Sequence, residues 1–455
     1  MNAKVNALID SYREEYADML RRWVQVPSVK AEPLPGAPFG AEVQRMMELA
    51  VKDMAAMGFA VRTFEGYACD ATLGDESREK IAVLGHLDVV PAGDGWKVPP
   101  FAAVTEGDRM YGRGTNDDKG PSLCALFAMK AIREAGIPLK KSIRLILGGD
   151  EESGWEDMAY YTRHAEMPEV GFSPDASFPL INTEKGMVHM MAKGPVSAEG
   201  LQVLKLHTGE RMNVIPGESV ALVAGDENTV RAAEAFAKES GLNVTARLTD
   251  EGVEITAHGI PGHSAYPENC RNANGMMLLT LKALGVQGAF RTLAEAYPME
   301  YDGKALGIAC EDAVSGALTC NMGILHLEDG EVKASFDCRC PISADLPGII
   351  AAMQRALPGM ETYNISTKQP HHVPAGSELV TCLLAAYEEE SGLKGEPQST
   401  GGGTYAKVLK SGVAFGASFP DDEDLAHQAG EYVYLSKMMT AAKIYANALL
   451  RLCAE

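Results

Sequence analysis

Up to about Lys185, short apolar runs of strand length alternate with longer runs that carry apolar residues at helical spacing. Ala3 to Val24 and Ala41 to Met57 read as helices. The second has Met46, Met47, Leu49, Ala50 and Met54 in phase and Gly58 as its C-cap. Strands are predicted at Ala60–Phe64, Lys80–Gly85 and Ser142–Gly148. Helices are predicted from Ser122 to Glu134, with Pro121 in the first turn, and onward from Trp155. Such alternation predicts an α/β fold, a mostly parallel sheet with helices on both faces.

Past Lys185 the texture changes. Strands with period-2 alternation dominate, as in Gly252–Ala257 and Glu331–Cys340, and helices at Thr229–Ser240 and Ala344–Leu357 interrupt them. After about Glu378 the chain is helical again. Ser399 to Phe419 reads as a Gly-rich turn, a helix and a strand, and Tyr432–Leu452 as a long amphipathic helix. The simplest organisation is a catalytic domain made of residues 1–184 and 379–455, interrupted by an inserted α+β domain at 185–378. A chain of 455 residues has room for two or three compact units.

Charge and composition exclude several functions. Sixty-two acidic against forty-one basic residues leave a formal charge of −21, which a nucleic-acid duplex or an anionic membrane would repel. No apolar stretch approaches the ~18–20 residues of a membrane-spanning helix. The N-terminal Met1-Asn2-Ala3-Lys4-Val5 lacks an export pattern, so the expected compartment is the cytoplasm. Nine cysteines without a Cys-x-x-Cys pair fit reduced thiols there, and leave metal binding to His, Asp and Glu.

Three turns carry such residues. His86 leaves an apolar strand two positions before Asp88, a spacing at which the carboxylate can fix the imidazole tautomer. Asp117-Asp118 stands between Gly114 and Gly120, and Glu151-Glu152 follows the strand Ser142–Gly148. In an open α/β sheet, ligands bind beyond the carboxyl ends of the strands. Gathering that much negative charge costs several kcal/mol unless a cation neutralises it. Nitrogen and oxygen donors suit zinc, cobalt or manganese, and a hydrolytic pair of ions would need a bridging carboxylate, naturally Asp117. One of the adjacent glutamates would bind metal and the other would stay free as base.

These residues carry a resemblance. Gly85-His86-Leu87-Asp88-Val89-Val90-Pro91, Arg113-Gly114-Thr115-Asn116-Asp117-Asp118-Lys119-Gly120 and Asp150-Glu151-Glu152-Ser153-Gly154 resemble the M20 metallopeptidases, most of all the PepV-type (Xaa-His, carnosinase-like) dipeptidases. Phe172-Ser173-Pro174-Asp175-Ala176, Gly402-Gly403-Thr404-Tyr405-Ala406 and His427-Gln428-Ala429 extend the likeness along nearly the whole chain. It implies two divalent ions, zinc first and cobalt or manganese as alternatives. His86 and Asp175 would hold one ion, Glu152 and His427 the other, and Asp117 would bridge them through a residue pair whose Asp117–Asp118 peptide is often cis. Asp88 would orient His86 and Glu151 would be the general base. The insert resembles the family's lid. There His263 would donate to the substrate carbonyl, Asn213 would line the site, and Arg339 and the turn at Gly402 would receive a C-terminal carboxylate. Cys270-Arg271 and Gly262 depart from the family pattern beside the lid histidine.

The resemblance thus implies hydrolysis of dipeptides, with an N-acyl-amino-acid deacylase or a tripeptidase as the alternatives. Lid closure would accompany turnover. The insert is nearly double the length common among lid-paired relatives, which predicts a monomer whose extra half mimics a dimer partner.

Overall fold

The computed structural model describes residues 2–454 apart from Asp424. Two units form. One takes Met1–Asn182, His372–Gln398 and Gly403–Glu455, and the other takes Thr183–His371 and Ser399–Gly402.

The first unit is α/β. Its sheet has a parallel core in the order Ser142–Gly148, Lys80–His86, Val170–Ser173 and Ser411–Ala414. Antiparallel strands Ala68–Leu73 and Ala60–Phe64 extend one edge, and Ile181 pairs antiparallel with Ala414 on the other side. Ser142–Gly148 is buried along its whole length, as expected of a strand covered on both faces. Helices Lys119–Ala135 and Leu435–Cys453 share one large core with Arg13–Val24 and Ala41–Ala56, centred on Trp23, Leu123, Phe127, Phe172, Phe415 and Tyr445.

Local differences from the sequence expectation have physical causes. Ala68–Leu73 escapes a reading by hydropathy because Asp70 interrupts it. That aspartate is buried and held by Arg62 at 3.0 Å and the Tyr161 hydroxyl at 2.6 Å. The N-terminal helix is two helices, Asn2–Ser11 and Arg13–Val24, separated at Tyr12. The helix expected after the Gly-rich turn is only a 3-10 turn, Tyr405–Val408. The last helix begins at Leu435, after a short strand at Tyr432–Tyr434.

The second unit is α+β. Its antiparallel sheet runs Val244–Thr249, Gly252–His258, Glu218–Val223, Val203–Thr208, Leu325–Glu328, Glu331–Cys340, Gly186–Pro195, Glu361–Lys368, and Thr319–Asn321 also pairs with Glu331–Cys340. Val253, Ile255 and Ala257 are buried while their alternate neighbours are not, the mark of a sheet covered on one face. Helix Glu227–Ser240 starts in a capping box built by Asp226 and Thr229. Helices Ala273–Ala283 and Ala289–Ala296 were not expected from sequence. The first is buried nearly all round (Met276, Met277, Leu278, Leu281), so no polar face betrays its period.

Candidate metal centre

The parallel core explains why distant residues meet. Strand Lys80–His86 lies between Ser142–Gly148 and Val170–Ser173, all running the same way. Their carboxyl ends therefore release His86, the Glu151-Glu152 turn and Asp175 side by side. The approach is tight. A side chain at Gly85 would collide with Ser122 Oγ and Asp118 Oδ2, so only glycine lets the helix start at Lys119 press against this strand.

His86 is fully buried. Its Nε2 lies 3.0 Å from Asp117 Oδ1 and 3.7 Å from Asp175 Oδ2. Its Nδ1 faces the Asp88 backbone carbonyl at 3.0 Å and the Asp88 carboxylate at 3.4 Å. The carbonyl is thus the nearer partner. The Asp88 carboxylate accepts the backbone N–H groups of Glu151 and Glu152 at 3.1 and 3.2 Å, which fixes the glutamate turn against the histidine. The Asp117–Asp118 peptide is cis. Asp117 Oδ2 lies 3.0 Å from His427 Nε2, and the same nitrogen is 3.0 Å from Glu152 Oε2. One carboxylate therefore spans two imidazoles, an oxygen to each.

Donor atoms of His86, Asp117 and Glu152 lie within 4.8 Å of one another, as do those of His86, Glu151 and Asp175. The six residues singled out for metal and base work come together. Reach alone does not separate Glu151 from the ligands.

Electrostatics supplies a fit test. Burial, then Asp175, pushes the Glu151 carboxyl well above the carboxylate range, and burial, then Asp117, lifts Glu152 to about 7. Asp117 and Glu152 raise the His427 imidazole to about 11. At His86 burial opposes charge, but Asp117, Asp175 and Asp88 outweigh it and hold the imidazole well above its ordinary range. Left to protons alone, the cluster collects positive charge on both histidines. A divalent cation delivers that charge to the same point without protonating the donors, and the all-nitrogen, all-oxygen donor set suits zinc, cobalt or manganese. The residues present fit such a cation.

Several residues support the site without being assigned a role from sequence. Glu431 is fully buried. Its Oε1 accepts the backbone N–H groups of Gly114 and Asn116, each at 2.9 Å, and of Asp117 at 3.3 Å; its Oε2 accepts from Arg113 Nη1 at 2.6 Å. It thereby moulds the loop that presents Asp117. A single glutamate after Gly430 is indistinguishable in sequence from a solvated one. Asp118 Oδ2 accepts from Ser122 Oγ at 2.8 Å and from the His86 backbone at 3.1 Å. Lys119 is buried with its ammonium on the carbonyls of Trp23 and Val26, and burial lowers it to about 7.

In the second unit His263 and Val214 are paired across a two-stranded ribbon, and Ser264 donates its N–H to the Asn213 carbonyl at 3.0 Å. Asn321 holds the ribbon through the carbonyls of Met212 and Val214. Arg339 is buried. It donates to the Gly401 carbonyl at 2.7 Å and to Asp337 Oδ2 at 2.8 Å, while its Nε–H has no partner among the described residues. The Gly402 N–H donates to Thr400 Oγ1 at 3.0 Å. Asn213, His263, Arg339 and Gly401 thus belong to one connected neighbourhood, and the arginine fork is already partly engaged.

Comparison with known proteins gives the family and the fold. The family model for Peptidase family M20/M25/M40 matches residues 82–451. The provisionally named dipeptidase YtjP of Bacillus subtilis (strain 168) is 35% identical over 433 residues, covering 92% of each chain. The Beta-Ala-Xaa dipeptidase of Lactobacillus delbrueckii subsp. lactis is 33% identical and covers 87% of this chain and 86% of that one. Human carnosine dipeptidase 1, at 17% identity, superposes with a TM-score of 0.59 over 99% of both chains, a likeness of fold. The chain belongs to peptidase family M20/M25/M40, whose metallopeptidases hydrolyse peptide bonds with bound metal ions. No helix among the described residues is long and apolar enough to cross a membrane.

Proposed function

We propose that the protein is a dipeptidase working with two divalent ions, zinc foremost. His86 and Asp175 would hold one ion, Glu152 and His427 the other, and Asp117 would serve both. The observation that carries this reading is the Asp117 carboxylate, with one oxygen 3.0 Å from His86 and the other 3.0 Å from His427. Bound there, the ions supply polarisation of the scissile carbonyl and a lowered pKa for the attacking water.

The chain's own residues do the rest. Glu151 takes the proton of the water and passes it to the leaving amine. Its buried carboxyl has a raised proton affinity, which suits a group that must both accept and return a proton. Asp88 keeps the glutamate turn in register with His86. His263 donates to the substrate carbonyl as charge grows on its oxygen. Arg339, with Asn213 and the turn at Gly402, receives the substrate's carboxylate. A site that holds the substrate's carboxylate favours short peptides, in keeping with relatives named as dipeptidases.

The test is a panel of a β-alanyl dipeptide, an α-dipeptide, a tripeptide and an acetyl-amino acid, each with and without chelator. Chelator-sensitive cleavage confined to the dipeptides is expected. Preference for the tripeptide or the acetyl compound would overturn the dipeptidase reading and keep the metal centre. Chelator-resistant cleavage would overturn both.

A further inference from the structure

A second cluster of metal-binding side chains lies in the antiparallel sheet of the second unit. That sheet has a weak seam. Val203–Thr208 and Leu325–Glu328 join its two halves through only two residue pairs, His207 with His326 and Thr208 with Leu325. The ladder between Glu331–Cys340 and Gly186–Pro195, by contrast, runs ten pairs. The seam is crossed by two histidines, directly opposite each other on antiparallel strands, and Glu328 stands beside them.

Donor atoms of His207, His326 and Glu328 lie within 4.8 Å of one another. Glu328 Oε1 is 3.5 Å from His326 Nδ1 and 3.8 Å from His207 Nδ1. The other Glu328 oxygen is taken by Lys333 at 2.9 Å, so Oε1 is the one aimed at the rings. Tautomers follow from the remaining contacts. His326 Nε2 is 2.8 Å from the Gly209 carbonyl, which can only accept, so that nitrogen carries the proton and Nδ1 offers its lone pair. His207 Nε2 is 3.2 Å from Glu210 Oε1, and the same logic frees its Nδ1. Imidazoles that bind metal through one nitrogen while donating the other N–H to an oxygen are the usual arrangement at metal sites.

We propose that His207, His326 and Glu328 bind a borderline transition-metal ion, zinc being the physiological choice, and that the ion clips the seam of the sheet. Two imidazoles and one carboxylate, with a fourth position open to water, match zinc's ligand preferences. The rings now stack with centroids 3.6 Å apart and 15° between planes. A metal lies in the plane of each imidazole it takes, so binding must fan the rings apart. The competing account is a metal-free network in which the stacked pair and Glu328 simply share a proton.

The test uses the full-length protein with its catalytic metal centre loaded. Wild type, His207→Gln, His326→Gln and Glu328→Gln are dialysed to equilibrium against micromolar zinc, and bound zinc per chain is counted. Each histidine variant is expected to bind one zinc fewer than wild type, with unchanged dipeptide hydrolysis. Equal counts in wild type and both histidine variants would overturn the site. Amide exchange read over residues 206–208 and 325–327 tests the clip: zinc is expected to slow it at least tenfold in wild type and not in His326→Gln. Zinc binding that leaves this exchange unchanged would overturn the clip.

Discussion

At the scale of single residues, the proposed mechanism divides labour within one dipeptide, giving metal binding to Glu152 and proton transfer to Glu151. Glu151→Gln keeps the shape and removes the base, so kcat should fall about 10²–10⁴-fold while bound metal stays the same. Loss of metal together with activity would instead make Glu151 a ligand. His86 and the glutamate pair were legible in sequence because they stand at the ends of apolar strands, and Asp117 because it is one of two adjacent carboxylates between Gly114 and Gly120. Asp175 and His427 are single residues in loops, and only the family likeness picked them out. Asp157 was not legible at all. Burial lifts it to about 7, although Tyr405 and the Asp150 and Met158 backbone favour its charged form. Its folded pKa lies above the unfolded value of about 3.9, so the stability it lends is full below pH ~4 and is lost as pH rises through ~7. Asp157→Asn carries no such titration. Wild type should therefore lose ground to this variant between about pH 4 and 7, by an amount on the order of 4 kcal/mol at most, read from urea midpoints. Parallel pH profiles would contradict it.

At the scale of elements, the loop from Arg113 to Asp118 is shaped by a residue more than three hundred positions away. Glu431 accepts three of the loop's backbone N–H groups and neutralises buried Arg113. Glu431→Ala should weaken metal binding roughly 10–100-fold, measured against a chromogenic chelator. It should also cost ~3–5 kcal/mol of stability, since Arg113 is left charged and buried. Unchanged metal affinity would reduce Glu431 to a purely structural part. Period-based reading located Lys80–His86 and Ser142–Gly148 of the parallel core, Gly252–His258 and Glu331–Cys340 of the second unit, and the amphipathic helices, whose one polar face marks their repeat. It missed Ala273–Ala283, which has almost no such face, and Ala68–Leu73, whose buried Asp70 mimics a turn residue.

At the scale of the whole molecule, strand order could not be read from the sequence, since pairing depends on long-range register. The parallel core nonetheless follows from strand–helix alternation, and its carboxyl ends deliver the metal-binding turns. The length of the insert argues for a monomer. Sedimentation at micromolar protein should give the mass of one chain, 48.6 kDa, and a dimer would count against the proposal. The most direct measurement is a crystal of the zinc-soaked protein with anomalous data collected on both sides of the zinc edge. Apart from the zinc proposed at His207, His326 and Glu328, two peaks are expected at the candidate centre, one between His86 and Asp175, the other between Glu152 and His427, with Asp117 beside both. An absence of zinc there, while the crystallised protein still cleaves dipeptides, would contradict the account.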